Sequence, residues 1–142
     1  MYKALIGGFI GAATITLLNE SLRRLSGNTP RLEKLGEEAT AKTIESLGGK
    51  PPEGDNLYAT SLAADILSNT LYYSSAAANK DNPLLAGAGL GIMAGLGAVY
   101  LPEQIGLDPD HTAATDSKKW ITIGLYTMGG IIAGAVIKRL SR

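Results

Sequence analysis

The sequence predicts an all-α integral membrane protein, a four-helix bundle with a short amphipathic helix between spans 1 and 2. Three observations predict it. Two long runs carry no charge at all, Asn82 to Pro102 and Trp120 to Ile137. The chain holds 18 glycines in 142 residues, and they sit among Ala, Ile, Leu and Val instead of in polar linkers. A glycine inside a soluble helix costs about 1 kcal/mol relative to Ala, whereas membrane helices accept it because small residues let backbones approach closely. Two further apolar segments carry their polar residues at helical spacing, so that each keeps one polar stripe.

The first span is expected at about residues 4–25. ALIGGFIGAATITLLN is uncharged from Ala4 to Asn19, and Glu20 then interrupts it. Lys3 ahead of an apolar run also fits a signal peptide. No small-residue cleavage pattern follows, and the segment continues into Glu20, Arg23 and Arg24, which favours a retained span.

A connector helix is expected over residues 30–47. Thr29 can cap it, Pro30 suits its first position and Gly48 can end it. Leu32, Leu35, Ala39, Thr43 and Leu47 fall on one stripe. Such a helix either lies on a membrane surface or docks a partner, or it is a connector packed on the bundle. The stripe is narrow and its middle is only Ala and Thr, which favours the connector. Pro51 and Pro52 then give an extended link.

The second span is expected at about residues 57–78 and carries Asp65 and Asn69 within it. The third, at about 84–102, lies in the run of 21 uncharged residues from Asn82 to Pro102. At about 1.5 Å per residue that is enough to cross a hydrocarbon core of about 30 Å. The fourth, at about 119–138, has Lys118 and Lys119 before its uncharged run, Lys138 and Arg139 after it, and Trp120 where an interfacial aromatic belongs. A soluble helical bundle is the competing fold, favoured by a mean hydropathy of only +0.10. Against it, a soluble helix shows a polar face within about 18 residues, and the last two runs show none.

The bulk numbers exclude more than they assign. One domain, residues 1–142, is all the length allows. Lys plus Arg and Asp plus Glu are 13 each, so no overall field attracts nucleic acid. Without cysteine there is no disulfide, thiolate nucleophile or sulfur-built zinc site. For orientation, Arg23, Arg24, Arg31, Lys34, Lys42, Lys50, Lys118 and Lys119 fall on one side, against Lys3, Lys80, Lys138, Arg139 and Arg142 on the other. The positive-inside rule then puts both longer loops in the cytoplasm and both termini outside.

A buried polar cluster is the candidate site. Ser61, Asp65, Ser68, Asn69 and Tyr72 share one face of the second span, and Glu20 and Arg24 share a stripe of the first. If those helices are antiparallel, Glu20 and Asp65 lie in one leaflet. An isolated charge deep in a bilayer costs about 2.5 to 3.5 kcal/mol. The expected arrangement is therefore a mutual network in which Arg23 or Arg24 turns inward to Glu20 and Asp65, and Asn69 closes the deeper end. Tyr72 and Tyr73 are expected near the opposite surface as belt residues, with Tyr72 able to reach the polar stripe.

Gly87, Gly91 and Gly95 repeat every fourth residue, as do Gly7 with Gly11 and Gly130 with Gly134. Such faces are close-packing surfaces. They are internal seams in one bundle, or between chains they build a homodimer or larger ring. Four helices in one chain already need tight seams, which favours internal packing.

Other motifs carry little. GAGLGIMAGLG matches loose phosphate-binding patterns, but it lies mid-span with no strand before it. Asp108 to His111, DPDH, with Asp116 nearby, offers oxygen ligands and the one histidine, yet Asp with Pro is also simply a turn, and Thr115 or Asp116 can cap the fourth helix. No nucleophile, base and orienter set emerges, so no catalytic residue, metal ligand or cofactor is assigned.

The runs LLNESLRRL (Leu17 to Leu25), NTPRLEKLG (Asn28 to Gly36), DILSNTLYYS (Asp65 to Ser74) and GLYTMGG (Gly124 to Gly130) resemble a group of small four-span bacterial membrane proteins with no assigned activity. The resemblance covers most of the chain. It implies the four-helix membrane architecture and a multi-pass place in the bacterial inner membrane, and it carries over no functional residue.

The leading functional expectation is a structural or accessory membrane component held by its ionic cluster. Its partners would be the lipid bilayer and either copies of itself or other membrane subunits. A transporter or channel for protons or small solutes is the alternative, and an enzyme acting on lipid head groups, with Glu20 or Asp65 as general base, a weaker one.

Overall fold

Long apolar runs punctuated by Pro and Asn fold here into helices and nothing else. The computed structural model describes all 142 residues, Met1 to Arg142. Its α-helices are α1 (Tyr2–Leu25), α2 (Leu32–Ser46), α3 (Gly54–Ser74), α4 (Pro83–Gln104), α5 (Asp110–Ala113) and α6 (Asp116–Ser141), with a 3-10 turn at Ser75–Ala78 and no strand.

The helix ends follow local chemistry. Asn82 Oδ1 accepts from the Leu85 amide at 3.1 Å ahead of α4, with Pro83 in the first turn where a missing N–H costs nothing. Thr115 Oγ1 accepts from the Lys118 amide at 3.2 Å and caps α6. Helix α2 ends at Gly48, whose φ of +84° lets Gly49 N donate to Ile44 O and Gly48 N to Glu45 O, at 2.9 and 3.0 Å. Thr29 does not cap α2. Its hydroxyl donates back to Ser26 O at 3.4 Å, and Arg31 occupies the cap position without a side-chain bond.

Helices α1, α4 and α6 are each long and apolar enough to cross a membrane. Helix α3, expected as the second span, is not among them. Its 21 residues are long enough, but Asp55, Asn56, Asp65, Asn69 and several hydroxyl residues dilute its apolar character.

Helix α6 packs on both α4 and α1, and α1 packs in turn on α3. The seams are backbone against backbone. A Cβ on Gly91 would stand 2.5 Å from Tyr126 O and 2.6 Å from Thr127 Cα, and one on Gly95 2.7 Å from Ile123 Cα. Gly87 faces Gly130 and Gly134 in the same seam. Gly11 closes on Gly129 and Ala133, and Gly7 on Ile137. Rising numbers on one helix meet falling numbers on the other, so α4 and α6, and α1 and α6, run antiparallel. Gly8 against Thr70 and Ser74, with Asn19 and Glu20 beside Ser61 and Asp65, does the same for α1 and α3. All seven glycines of the expected seams thus face another helix of their own chain.

Burial is sparse. Of 142 residues 27 are buried, nine of them hydrophobic, while 24 large hydrophobic side chains are exposed. The exposed set includes Leu17, Leu67, Leu85, Met93 and Trp120, each more than 60% accessible.

The two longer connections meet at one end of the molecule. Helix α2 packs on α3 and on α5. Arg31 N donates to His111 O at 2.8 Å, both Glu38 carboxylate oxygens accept from the Asp108 amide at 3.2 and 3.1 Å, and Lys42 Nζ donates to Gly106 O. Asp108 to His111 forms a turn into α5, with Asp108 Oδ1 accepting from the Asp110 amide at 2.9 Å.

Candidate functional site

Where α1, α2 and α3 meet, their polar residues line a cleft holding a cavity of about 50 Å³, room for a few water molecules. Helix α1 contributes Ile15, Thr16, Asn19 and Glu20, helix α2 Leu32, Glu33 and Gly36, and helix α3 Tyr58, Ser61, Leu62 and Asp65. The helical period explains the selection. Gly8, Gly11, Ala12, Ile15 and Asn19 form the buried face of α1, so Asn19 points inward and Glu20 lies beside it. The antiparallel α3 brings Ser61 and Asp65 opposite.

Glu20 is the hub of the charged side. Its Oε2 accepts from Arg23 Nη2 at 2.7 Å and Nε at 3.2 Å, and its Oε1 from Arg24 Nε at 3.2 Å. Arg23 also reaches across to α2, with Nη1 3.6 Å from Glu33 Oε1, and Arg31 Nε donates to the same oxygen at 2.7 Å. Two carboxylates therefore share three guanidinium groups.

Asp65 stands outside this network. Its Oδ1 accepts from Asn69 Nδ2 of its own helix at 3.0 Å, and no Lys or Arg forms an ion pair with it. The expected bridge from Arg23 or Arg24 to Asp65 is thus replaced by an ion pair to Glu33, for a reason of reach. From the end of α1 the arginines extend toward water and the start of α2, and Arg24 is 78% exposed.

Two acceptors in the cleft lack any partner. Asn19 is 6% exposed and its Oδ1 accepts nothing, and Glu33 Oε2 is equally buried and unpaired. A buried acceptor without a hydrogen bond costs about 1–3 kcal/mol, so each such group calls for an explanation. The Asn19 side chain makes no hydrogen bond at all. Glu33 could not be placed from the sequence, because its position depends on α2 folding back over α1. Gly36, the small residue one turn further along α2, is the local signal, since it leaves open space against Ser61.

Tyr73 lies in the interior and Tyr72 is half-buried. Tyr72 Oη donates to Leu90 O of α4 at 2.9 Å, away from Asp65, and Tyr73 is fully buried with its Oη donating to Tyr126 O of α6 at 2.8 Å. Their rings meet edge to face with centroids 5.3 Å apart. They clamp helices together and neither lines the cleft; Tyr73, wholly buried, is no surface residue.

The chemistry of the cleft is lopsided toward acceptors. Ser61 Oγ donates to Tyr58 O at 3.0 Å and Thr16 Oγ1 to Ala12 O at 3.5 Å, so both hydroxyls keep lone pairs for another donor. No three acidic or histidine side chains converge closely enough to hold a metal ion. No protein-family model matches the chain, and no curated protein or solved structure matches it either.

Proposed function

We propose that this chain is a four-span bundle of the bacterial inner membrane, with α1, α3, α4 and α6 as its spans, acting as a structural or accessory component. One observation carries the reading: large hydrophobic side chains face outward in far greater number than they face inward. In water such a surface would drive aggregation, since soluble monomers rarely expose apolar patches beyond a few hundred Å². In lipid it is the expected outer face, while close backbone packing at small residues supplies the attraction between helices. Helix α3 is then the most polar span, tolerated because Asp65 lines the cleft against α1 and α2 and accepts from Asn69. The glycine faces act as internal zippers, which leaves the apolar girdle for lipid, further copies or other subunits.

The test uses the absence of cysteine. Single cysteines at Gly27, Lys80, Ser117 and Ser141 are labelled in intact cells with a membrane-impermeant maleimide. Four spans put Gly27 and Ser117 on one side and Lys80 and Ser141 on the other. Labelling of Gly27 and Lys80 from the same side, or a chain that stays monodisperse in buffer without detergent, would overturn the reading.

A second reading, transport of a proton or small solute, is favoured by the unpartnered acceptors of the cleft. Liposome flux that Asp65→Asn abolishes in a well-folded protein would select it.

A further inference from the structure

We propose that the cleft between α1, α2 and α3 is a binding site for a primary ammonium group. Asn19 and Glu33 both line the cleft; Asn19 is 6% exposed with no donor on its Oδ1, and Glu33, whose Oε1 is held by Arg31 and Arg23, keeps a buried Oε2 without a donor. Asp65 adds a carboxylate that no basic side chain neutralises. A ligand matching this set brings several N–H donors and a positive charge.

Alternatives within cation chemistry fail on the same residues. A metal ion needs converging acidic ligands, and no such group of three exists here. A quaternary ammonium has no N–H to give Asn19 or Glu33, and it is held by aromatic cages, whereas Tyr58 is the only aromatic side chain lining this cleft. A primary ammonium offers three donors in a compact head. A cavity of about 50 Å³ accommodates such a head on a short stem.

Position indicates where the amine comes from. Asn19 lies six residues before the end of α1 at Leu25, about 9 Å along the helix at 1.5 Å per residue. On the membrane reading that is the depth of the headgroup boundary, so an ethanolamine phospholipid can present its ammonium there. A free alkyl amine from the aqueous side carries the same chemistry. Only the lipid source rests on the membrane reading.

The experiment uses the full chain in detergent. Thermal unfolding is followed while ethanolamine hydrochloride is added, with tetramethylammonium chloride at equal ionic strength as the comparison. In parallel, native mass spectrometry follows retained phosphatidylethanolamine against phosphatidylcholine after reconstitution in vesicles holding both. The expected result is saturable stabilisation by ethanolamine but not by tetramethylammonium, or selective retention of the ethanolamine lipid. Either response should weaken about tenfold or more in Asp65→Asn, since a charge-assisted hydrogen bond is lost. Gly36→Met, which fills the cleft from α2, should abolish it while the chain still unfolds cooperatively.

Stabilisation by the free amine alone assigns a soluble ligand, and lipid retention alone assigns the headgroup. Equal responses to both cations, or no response together with no lipid preference, overturn the proposal. A chain that proves soluble without detergent refutes the membrane reading but leaves the ethanolamine titration fully informative.

Discussion

The hydroxyl of Tyr73 on α3 donates to the backbone carbonyl of Tyr126 on α6 at 2.8 Å, with Tyr73 wholly buried. The same carbonyl lies against Gly91 of α4, where any side chain would collide with it. Three helices thus meet at one backbone oxygen. Neighbouring Tyr72, turned about 100° around the helix, makes the companion bond to Leu90 O. Helix α3 packs chiefly on α1 and α2 and has few contacts with α4 and α6, so these two hydroxyls are its principal polar ties to that pair.

Tyr73→Phe keeps the ring and removes the hydroxyl. The carbonyl of Tyr126 retains its helical setting, so the expected loss is about 1 kcal/mol, as for interhelical hydrogen bonds generally. Tyr73→Ala adds a cavity and should cost about 3–5 kcal/mol. Denaturation in mixed detergent micelles would separate the two, and equal losses would contradict this assignment of the hydroxyl.

Gly91→Ala should destabilise by about 1–3 kcal/mol or more, because its Cβ meets backbone atoms that cannot rotate away. Gly89→Ala, two residues away on α4, meets nothing within 4 Å. It should be neutral or stabilising by about 0.5–1 kcal/mol through the lower flexibility of alanine. Comparable thermal stability of the two variants would argue against α4 and α6 touching at backbone distance.

Asp65→Asn is expected to leave stability within about 0.5 kcal/mol. Asp65 has no ionic partner to lose, and an asparagine there can still accept from Asn69. A large fall in melting temperature would mean that Asp65 holds a cation-bearing side chain after all.

Glu38→Gln should free the end of the molecule where α2 meets the loop before α5. Glu38 accepts from the Asp108 amide and stands 3.4 Å from both Lys42 Nζ and His111 Nε2. Loss of charge-assisted contacts of about 1–2 kcal/mol corresponds to exchange at Asp108 N–H about 5- to 30-fold faster. Hydrogen exchange read by mass spectrometry over residues 105–115 would test it, with α4 and α6 unchanged as internal reference.

Much of the architecture was legible because it is local. Charge-free runs, Thr115 before α6, and glycines at every fourth position each act within one or two helical turns. They determine that the chain is helical, where its long helices lie and which faces pack closely. The partners of polar groups are a different kind of fact, since they depend on which helices come together and how far along each they touch. Spacing, shared depth and charge cost matched Arg23 or Arg24 to Glu20 and Asp65, set Tyr73 near a surface and left Glu33 out. The folded chain instead turns Arg23 to Glu33, buries Tyr73 against α6 and leaves Asn19 facing an open cleft. A side chain's direction along its own helix is written in the sequence, whereas what it meets is decided only when α2 folds back and three helices close around it.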